Sequence, residues 1–215
     1  MTKNNVSKMR KEYTAAELDE STVHPDPFVQ FRAWFEEASK ADFEEPNAMA
    51  LATVDSSGKP SSRMVLLKSY DEQGFVFFTN YNSQKGQDLA QNPRVALLFW
   101  WDKMDRQIHV EGEVEKISAQ ESSEYFNSRP RGSQLGAWAS NQSAVIAGRE
   151  VLTHRIEQLS KEYEGKEIPR PPYWGGYRVK PLVFEFWQGR PNRLHDRLQY
   201  RKLANGSWVI DRLFP

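Results

Sequence analysis

Phe184-Glu185-Phe186-Trp187-Gln188-Gly189-Arg190-Pro191-Asn192-Arg193-Leu194-His195-Asp196-Arg197 carries the pattern that decides the fold. Its first four residues alternate bulky apolar and polar side chains, which predicts a half-buried strand. Gln188 to Asn192 contains Gly and Pro, the composition of a tight turn. Arg193, His195 and Arg197 then follow at i, i+2 and i+4. On a returning strand all three face one side, with Leu194 and Leu198 on the other. Two guanidiniums and an imidazole on one pleated face imply an anionic or electron-rich partner. A solvated edge strand guarded by basic residues accounts for the same pattern. Strand, turn and strand in immediate succession predict antiparallel pairing.

Outward from this hairpin, Tyr177 to Trp187 reads as one strand and Ser207 to Leu213 as a closing one. Upstream, Asp26-Pro27 is a helix start, with Asp as N-cap and Pro at the first helical position. Phe28, Phe31, Phe35 and Ala38 follow at helical spacing. Ala48–Asp55, Ser61–Tyr70 and Phe75–Thr79 read as three strands joined by short turns, an antiparallel meander. Arg94–Trp101 is nearly continuous apolar sequence, which predicts a strand buried on both faces. Arg106–Ile117 alternates as a long strand, with Gln107 and His109 on the face opposite Ile108 and Val110. Helices are expected from the capping box Ser118-Ala119-Gln120-Glu121, over Leu135–Ala139, and over Ala144–Tyr163 with Val151, Leu152, Ile156 and Leu159 inward. Seven or eight strands with scattered helices predict a mainly β protein with flanking helices (α+β), a closed, mostly antiparallel barrel. Residues 26–215 read as a single domain and residues 1–25 as a mobile arm.

Composition narrows the function. The 215 residues carry 29 basic and 29 acidic side chains, a formal charge of zero, so no net field draws the chain to nucleic acid. With no Cys, disulfides, thiolate metal sites and a Cys nucleophile are excluded. The four His lack zinc-ligand spacing, and no metal is expected. The apolar run Val95–Trp101 is far too short to span a bilayer. The basic N-terminus is not followed by an apolar signal region, and a cytoplasmic location is expected.

Two places suit an anion. Ser83 is a plausible N-cap of a short helix through Leu89, and Lys85 in its first turn adds charge to exposed N–H groups. Arg63 could reach the same anion. Tyr125 and Arg129 are i, i+4, with Ser133 just past Pro130; together they offer two hydroxyls and a guanidinium. Each also has a plain reading as a capped helix end with a surface cation. Arg63 and Lys68 are five apart, which puts them on opposite faces of a regular strand unless a bulge intervenes or both flank a ligand.

Arg63-Met64-Val65-Leu66-Leu67-Lys68, Tyr125-Phe126-Asn127-Ser128-Arg129-Pro130-Arg131, Gln134-Leu135-Gly136-Ala137-Trp138 and Phe186-Trp187-Gln188 with Arg193-Leu194-His195-Asp196-Arg197 together resemble the pyridoxine/pyridoxamine 5′-phosphate oxidase family. The likeness spans nearly the whole chain, from the Arg10-to-Tyr13 arm to Ile210-Asp211-Arg212-Leu213. It implies an antiparallel FMN-binding split barrel that acts as a homodimer, with FMN at the subunit interface. The implied reaction oxidises pyridoxamine 5′-phosphate or pyridoxine 5′-phosphate to pyridoxal 5′-phosphate while O2 becomes H2O2. The FMN contacts it implies are Arg63, Met64, Val65, Leu66, Leu67, Lys68, Phe78, Thr79, Gln84, Lys85, Gln107, Gln142, Ser143, Trp187 and Arg197. The substrate contacts are Arg10, Lys11, Glu12, Tyr13, Lys68, Tyr125, Arg129, Ser133, Arg193, Leu194 and His195, with Arg193 and His195 in the catalytic role. Where the family usually has Arg-Lys this chain has Gln84-Lys85, which implies looser FMN retention. A non-enzymatic flavin or pyridoxal-phosphate carrier and a nicotinamide-dependent flavin reductase are the competing readings on the same barrel.

Overall fold

Asp26 caps the first helix as the sequence implies: its carboxylate accepts the Phe28 N–H at 2.8 Å, and Pro27 opens α1, Pro27–Lys40. The computed structural model describes Ser7, Met9, residues 11–14 and residues 16–215. The strands are β1 (Ala48–Val54), β2 (Pro60–Leu66), β3 (Ser69–Asp71), β4 (Gly74–Asn80), β5 (Arg94–Trp101), β6 (Arg106–Lys116), β7 (Trp174–Gln188), β8 (Asp196–Lys202) and β9 (Trp208–Arg212). The remaining helices are α2 (Gln84–Gln91), α3 (Ala119–Ser128), α4 (Arg131–Ala139) and α5 (Arg149–Glu162). The strands form one sheet in the order β2-β1-β5-β6-β7-β4-β3, with β8 on β7 and β9 on β8. The β1–β2, β3–β4, β4–β7, β7–β8 and β8–β9 pairs are all antiparallel. Among the described residues no helix is long and apolar enough to cross a membrane.

The chain gathers into two compact units, each built from separated segments. The first contains the segment ending at Pro46, Leu97–Val110 and Leu182–Pro215. Its core is aromatic. From α1, Phe28 meets Phe184 at 5.2 Å, Phe31 meets Phe99 at 5.3 Å and Trp34 meets Phe186 at 5.3 Å, all edge to face. Edge-to-face pairs add about 0.5–1.5 kcal/mol each beyond the area they bury. Residues just before α1 are fastened to the same unit. Leu18 is buried, its N–H donates to Asp196, and Arg212 binds Glu20.

The second unit contains Asn47–Ala96 and Glu111–Pro181. Met49, Leu51, Phe75, Phe77 and Val179 are fully buried there. Phe126, Leu135, Ile168 and Trp174 form a further cluster beneath α3 and α4. The expected strand from Ser61 to Tyr70 is two strands. Leu67 N–H still bonds on the β1 side, to the Asn47 carbonyl at 2.9 Å, but Lys68 N–H turns to the Val76 carbonyl of β4 at 2.9 Å. The chain changes partner between these two residues, which removes the strict alternation that would set Arg63 and Lys68 on opposite faces.

Four other expectations change. Arg94–Trp101 is buried on one face only: Val95, Leu97, Phe99 and Trp101 point inward, whereas Trp100 is 47% exposed. The last long helix begins at Arg149, not Ala144, and Val151 is exposed, whereas Ile156 and Leu159 pack half-buried against the Phe126–Trp174 cluster as expected. Helix α4 begins at Arg131, ahead of the expected Leu135, and α3 stops at Ser128, so Arg129 is an extended C-cap and not a helical neighbour of Tyr125. Finally, Pro191–Arg193 is a 3-10 turn with Asn192 and Arg193 at φ 57° and 64°. Only Arg197 of the basic trio therefore lies in a strand, and Leu194 is exposed while Leu198 is buried.

Gly74 sits at φ 138°, and a Cβ there would stand 1.9 Å from the Val179 carbonyl oxygen. Gly74→Ala is therefore expected to destabilise the protein by at least about 2 kcal/mol, read as a lower midpoint of thermal unfolding. An unchanged midpoint would contradict the close β4–β7 approach.

Candidate active site

In the second unit, β2, β4, α2, α3 and α4 surround a cavity of about 850 Å³. Ser83 caps α2 and accepts the Gly86 N–H at 3.3 Å, which aims the start of the helix at the cavity. Lys85 is buried in that first turn; its ammonium donates to Gln142 Oε1 at 2.9 Å, and Thr79 Oγ1 donates to the same oxygen at 3.2 Å. Arg63 donates to Thr53 Oγ1 at 2.8 Å and to the Leu51 carbonyl at 3.2 Å. Behind them lies Asp88, 2% exposed, which accepts from Thr53 at 2.7 Å and from Gln84 Nε2 at 2.8 Å and stands 3.9 Å from Arg63.

Two cations thus share one carboxylate. Burial pushes the Arg63 pKa down against the pull of Asp88. Lys85 is pushed down by burial first and by Arg63 second, again opposed by Asp88. Both charged forms are under-compensated, the electrostatic condition that favours an anion.

The second grip lies on the same cavity. Tyr125 of α3 stacks on Phe78 at 3.9 Å, and Phe78 stacks on Trp174 at 5.3 Å. The Arg129 guanidinium lies 4.6 Å over the Trp174 ring, and its Nη1 is buried without a hydrogen-bond partner. Burial lowers the Arg129 pKa. A buried donor with no acceptor is rare, because leaving it unmade costs about 1–3 kcal/mol. Ser133 and Lys68 line the cavity beside it. Phosphate would supply the acceptor oxygen that Arg129 Nη1 lacks, and the negative charge that the neutral acceptors around Lys85 and Arg63 do not provide.

Of the expected contacts, Arg63, Met64, Val65, Leu66, Lys68, Phe78, Thr79, Lys85, Tyr125, Arg129, Ser133 and Gln142 line this cavity. Leu67 is buried behind the wall. Gln84 is exposed and turned to Asp88, while its N–H donates to Ser143 Oγ at 3.2 Å; Ser143 holds φ 73°. Gln107, set on the face of β6 opposite Ile108 and Val110, is half-buried. Trp174, Thr53 and Asp88 escaped the sequence reading. Trp174 sat in a segment rich in Pro and Gly, and only the Gln84–Asp88 spacing of four hinted at the third.

The remaining expected residues gather in the first unit. Trp187 and His195 rings are 4.6 Å apart; Tyr13 stands edge-on to Trp187 at 5.8 Å and to His195 at 5.4 Å, and Arg193 lies 5.4 Å from the Tyr13 ring. His195 Nδ1 accepts the Arg190 N–H at 3.1 Å, which leaves Nε2 as the protonated nitrogen of the neutral ring. Burial, then Arg193, holds the His195 pKa below the usual imidazole value. Arg197 binds both oxygens of Glu185 at 2.8 and 3.0 Å, which raises its pKa. Lys11 is tied to Asp105, Glu12 and Leu194 are exposed, and Arg10 lies outside the described residues.

Residues 35–162 match the family described as "Pyridoxamine 5'-phosphate oxidase", and residues 174–215 match "Pyridoxine 5'-phosphate oxidase C-terminal dimerisation region". A protein of Gloeothece citriformis (strain PCC 7424) named "Pyridoxine/pyridoxamine 5'-phosphate oxidase" is 57% identical over 211 residues, 98% of this chain and 99% of that one. A protein of the same name from Nostoc punctiforme is 58% identical over 210 residues, 98% of each. Among solved structures, PhzG from Burkholderia lata 383, in complex with tetrahydrophenazine-1-carboxylic acid, superposes with a TM-score of 0.86 at 32% identity, covering 91% of this chain and 95% of that one. A pyridoxamine 5′-phosphate oxidase-related, FMN-binding protein of Nostoc punctiforme shares the fold, with a TM-score of 0.71 at 15% identity over 88% of this chain and 98% of that one.

A Lys whose folded pKa lies below its unfolded value binds fewer protons folded than unfolded between the two values. Folding therefore gains stability from Lys85 as pH rises through that window, and below it the full burial penalty stands. Lys85→Met is expected to leave the ligand-free protein as stable or up to about 1 kcal/mol more so at neutral pH, and to weaken the stabilisation given by inorganic phosphate. Arg129→Met is expected to behave likewise. Thermal unfolding with and without phosphate checks both; an undiminished phosphate effect in both variants would contradict the two grips.

Proposed function

The chain belongs to the pyridoxine/pyridoxamine 5′-phosphate oxidase family, and we propose that it oxidises pyridoxamine 5′-phosphate and pyridoxine 5′-phosphate to pyridoxal 5′-phosphate. O2 takes up the two electrons and two protons as H2O2, and the amine substrate also consumes water and releases ammonia. The cofactor is FMN, and the enzyme is a mainly β split-barrel oxidoreductase that works as a homodimer through its C-terminal region. We assign the FMN site to the subunit interface, residues 26–215 to one FMN-binding domain with residues 1–25 as its arm, and the enzyme to the cytoplasm. The observation that carries this reading is the pair of cationic grips on one cavity, one around Arg63 and Lys85 and one around Arg129. FMN and the vitamer each bring one phosphate.

Bound FMN supplies a hydride acceptor that no side chain can replace. Arg63 and Lys85 hold its phosphate, with Thr79, Gln142 and Ser143 as neutral donors and spacers. Met64 to Lys68 and Phe78 would line the rest of its site, and the family resemblance implies that Gln107 and Trp187 would also contact the cofactor. Gln84 replaces a cation, and its amide is spent on Asp88, so this end of the cofactor rests on two cations. Arg197, fixed by Glu185 and by the Phe214 carbonyl, would set its positive charge against the cofactor's polar edge.

Lys68, Tyr125, Arg129 and Ser133 take the substrate phosphate. That single anchor limits where the reacting carbon can lie, and orientation is a large part of the rate. Arg193 and His195 clamp the pyridine ring. With Nδ1 occupied by the Arg190 N–H, His195 presents Nε2–H as a donor to the substrate's polar substituent. Leu194 and the arm residues Arg10, Lys11, Glu12 and Tyr13 complete the substrate's surroundings.

The purified protein is expected to show a flavin spectrum and, given pyridoxine 5′-phosphate in air, to yield aldehyde and peroxide. Bleaching by NAD(P)H alone would select a reductase instead. Arg193→Ala is expected to lower kcat/KM by at least about tenfold with FMN content unchanged. Equal losses in both would reject the substrate-side role of Arg193.

A further inference from the structure

Asp105 is a buried carboxylate for which the proposed chemistry has no use. It ends the 3-10 turn Asp102–Met104 between β5 and β6 at φ 52°, and its side chain is 4% exposed. It holds two segments at once. Its backbone carbonyl accepts the Gly189 N–H at 2.8 Å and Gln188 Nε2 at 3.2 Å. Its carboxylate accepts Lys11 Nζ at 2.6 Å, and the same ammonium donates to the Asp102 carbonyl at 3.1 Å. One segment runs on to Arg193 and His195; the other carries Tyr13 two residues later.

The two segments meet at Gly189. A Cβ on that residue would lie 2.8 Å from Tyr13 Cγ and 2.9 Å from Asp105 Cβ, so a side chain there would push the arm away. The Tyr13 ring is thereby stood at 85° to Trp187 and 71° to His195, within cation–π reach of Arg193. Most exposed ion pairs hold little, but here the carboxylate is withdrawn from water and needs its partner, while Lys11 is 58% exposed and free to leave. That asymmetry suits a latch that opens without unfolding anything else.

We propose that Asp105 is a positioning residue: through Lys11 it latches the N-terminal arm so that Tyr13 closes over the Trp187–Arg193–His195 face and retains the substrate. The proposal rests on the substrate-side reading of Arg193 and His195. Asn tolerates the left-handed conformation as well as Asp does, so Asp105→Asn removes the charge and keeps the turn and its carbonyl.

The test uses the FMN-loaded enzyme and its Asp105→Asn, Lys11→Gln and Lys11→Arg variants. Three quantities are read: cleavage by a glutamyl endopeptidase after the exposed Glu12, KM and kcat for pyridoxine 5′-phosphate, and FMN content. Asp105→Asn and Lys11→Gln are each expected to speed cleavage and raise KM about fivefold, with FMN content unchanged, whereas Lys11→Arg, which keeps the charge on Asp105, is expected to be cleaved at the native rate. Should Asp105→Asn fail to fold, Lys11→Gln, on the exposed side of the pair, carries the test alone. Native cleavage in the charge-removing variants overturns the latch. Faster cleavage with native KM, while Arg193→Ala raises KM, overturns the positioning role. If Arg193→Ala changes neither KM nor kcat, the substrate-side reading beneath it fails, whatever the arm does.

Discussion

Lys85 is buried and Arg63 partly so, and among the described residues the carboxylate that opposes the loss of charge on both is Asp88. Two cations against one buried anion leave a positive excess that folding alone does not neutralise. Much of the second unit serves to maintain it. The partner change at Leu67–Lys68 brings Arg63 and Lys68 to the same cavity. The Ser83 cap points the start of α2 inward, and Gly86 lets the helix press on the Tyr81 backbone, where a Cβ would come within 2.1 Å of the carbonyl oxygen. Arg129 repeats the principle with different means. It spreads its charge over the Trp174 face and leaves one buried nitrogen unpartnered. Sites of this kind trade stability for affinity, because the anion restores what burial took away.

The chemistry expected of the first unit depends on direction more than on charge. His195 accepts a backbone N–H on Nδ1, and that one bond decides which ring nitrogen carries a proton. Arg197 is locked by Glu185, and Asp196 lies between Arg190 and Arg212. Gly189 leaves room for Tyr13 and Asp105, both of which a Cβ there would strike. Each group is immobilised by a neighbour that does no chemistry itself, which is what precise orientation of a ring requires.

Local signals were legible in the sequence; non-local ones were not. Asp26-Pro27 and the Ser118–Glu121 capping box could be read at once, since their donors and acceptors lie within a few residues. The strands were legible to within a few residues for the same reason. The break at Leu67–Lys68 was not, because it depends on Val76, a partner on a different strand. The left-handed Arg193 was hidden too: Pro-Asn-Arg allows a turn but does not say where the next strand begins, and the face-sharing trio dissolved into one strand residue and two turn residues. Nothing local marks Asp88 or Asp105 as buried, since burial is a tertiary fact that no spacing encodes. The grips around Lys85 and Arg129 were visible as residue sets, but their shared cavity, and the unpartnered Arg129 nitrogen that gives it meaning, needed the fold.

The most direct measurement is a crystal structure of the FMN-loaded protein with pyridoxine 5′-phosphate bound. The FMN phosphate is expected within about 3 Å of Arg63 and Lys85, and the vitamer phosphate at the same distance from Arg129 and Ser133. A vitamer phosphate held elsewhere, with Arg129 Nη1 still unpartnered, would contradict the claim that these buried cations exist to hold two phosphates.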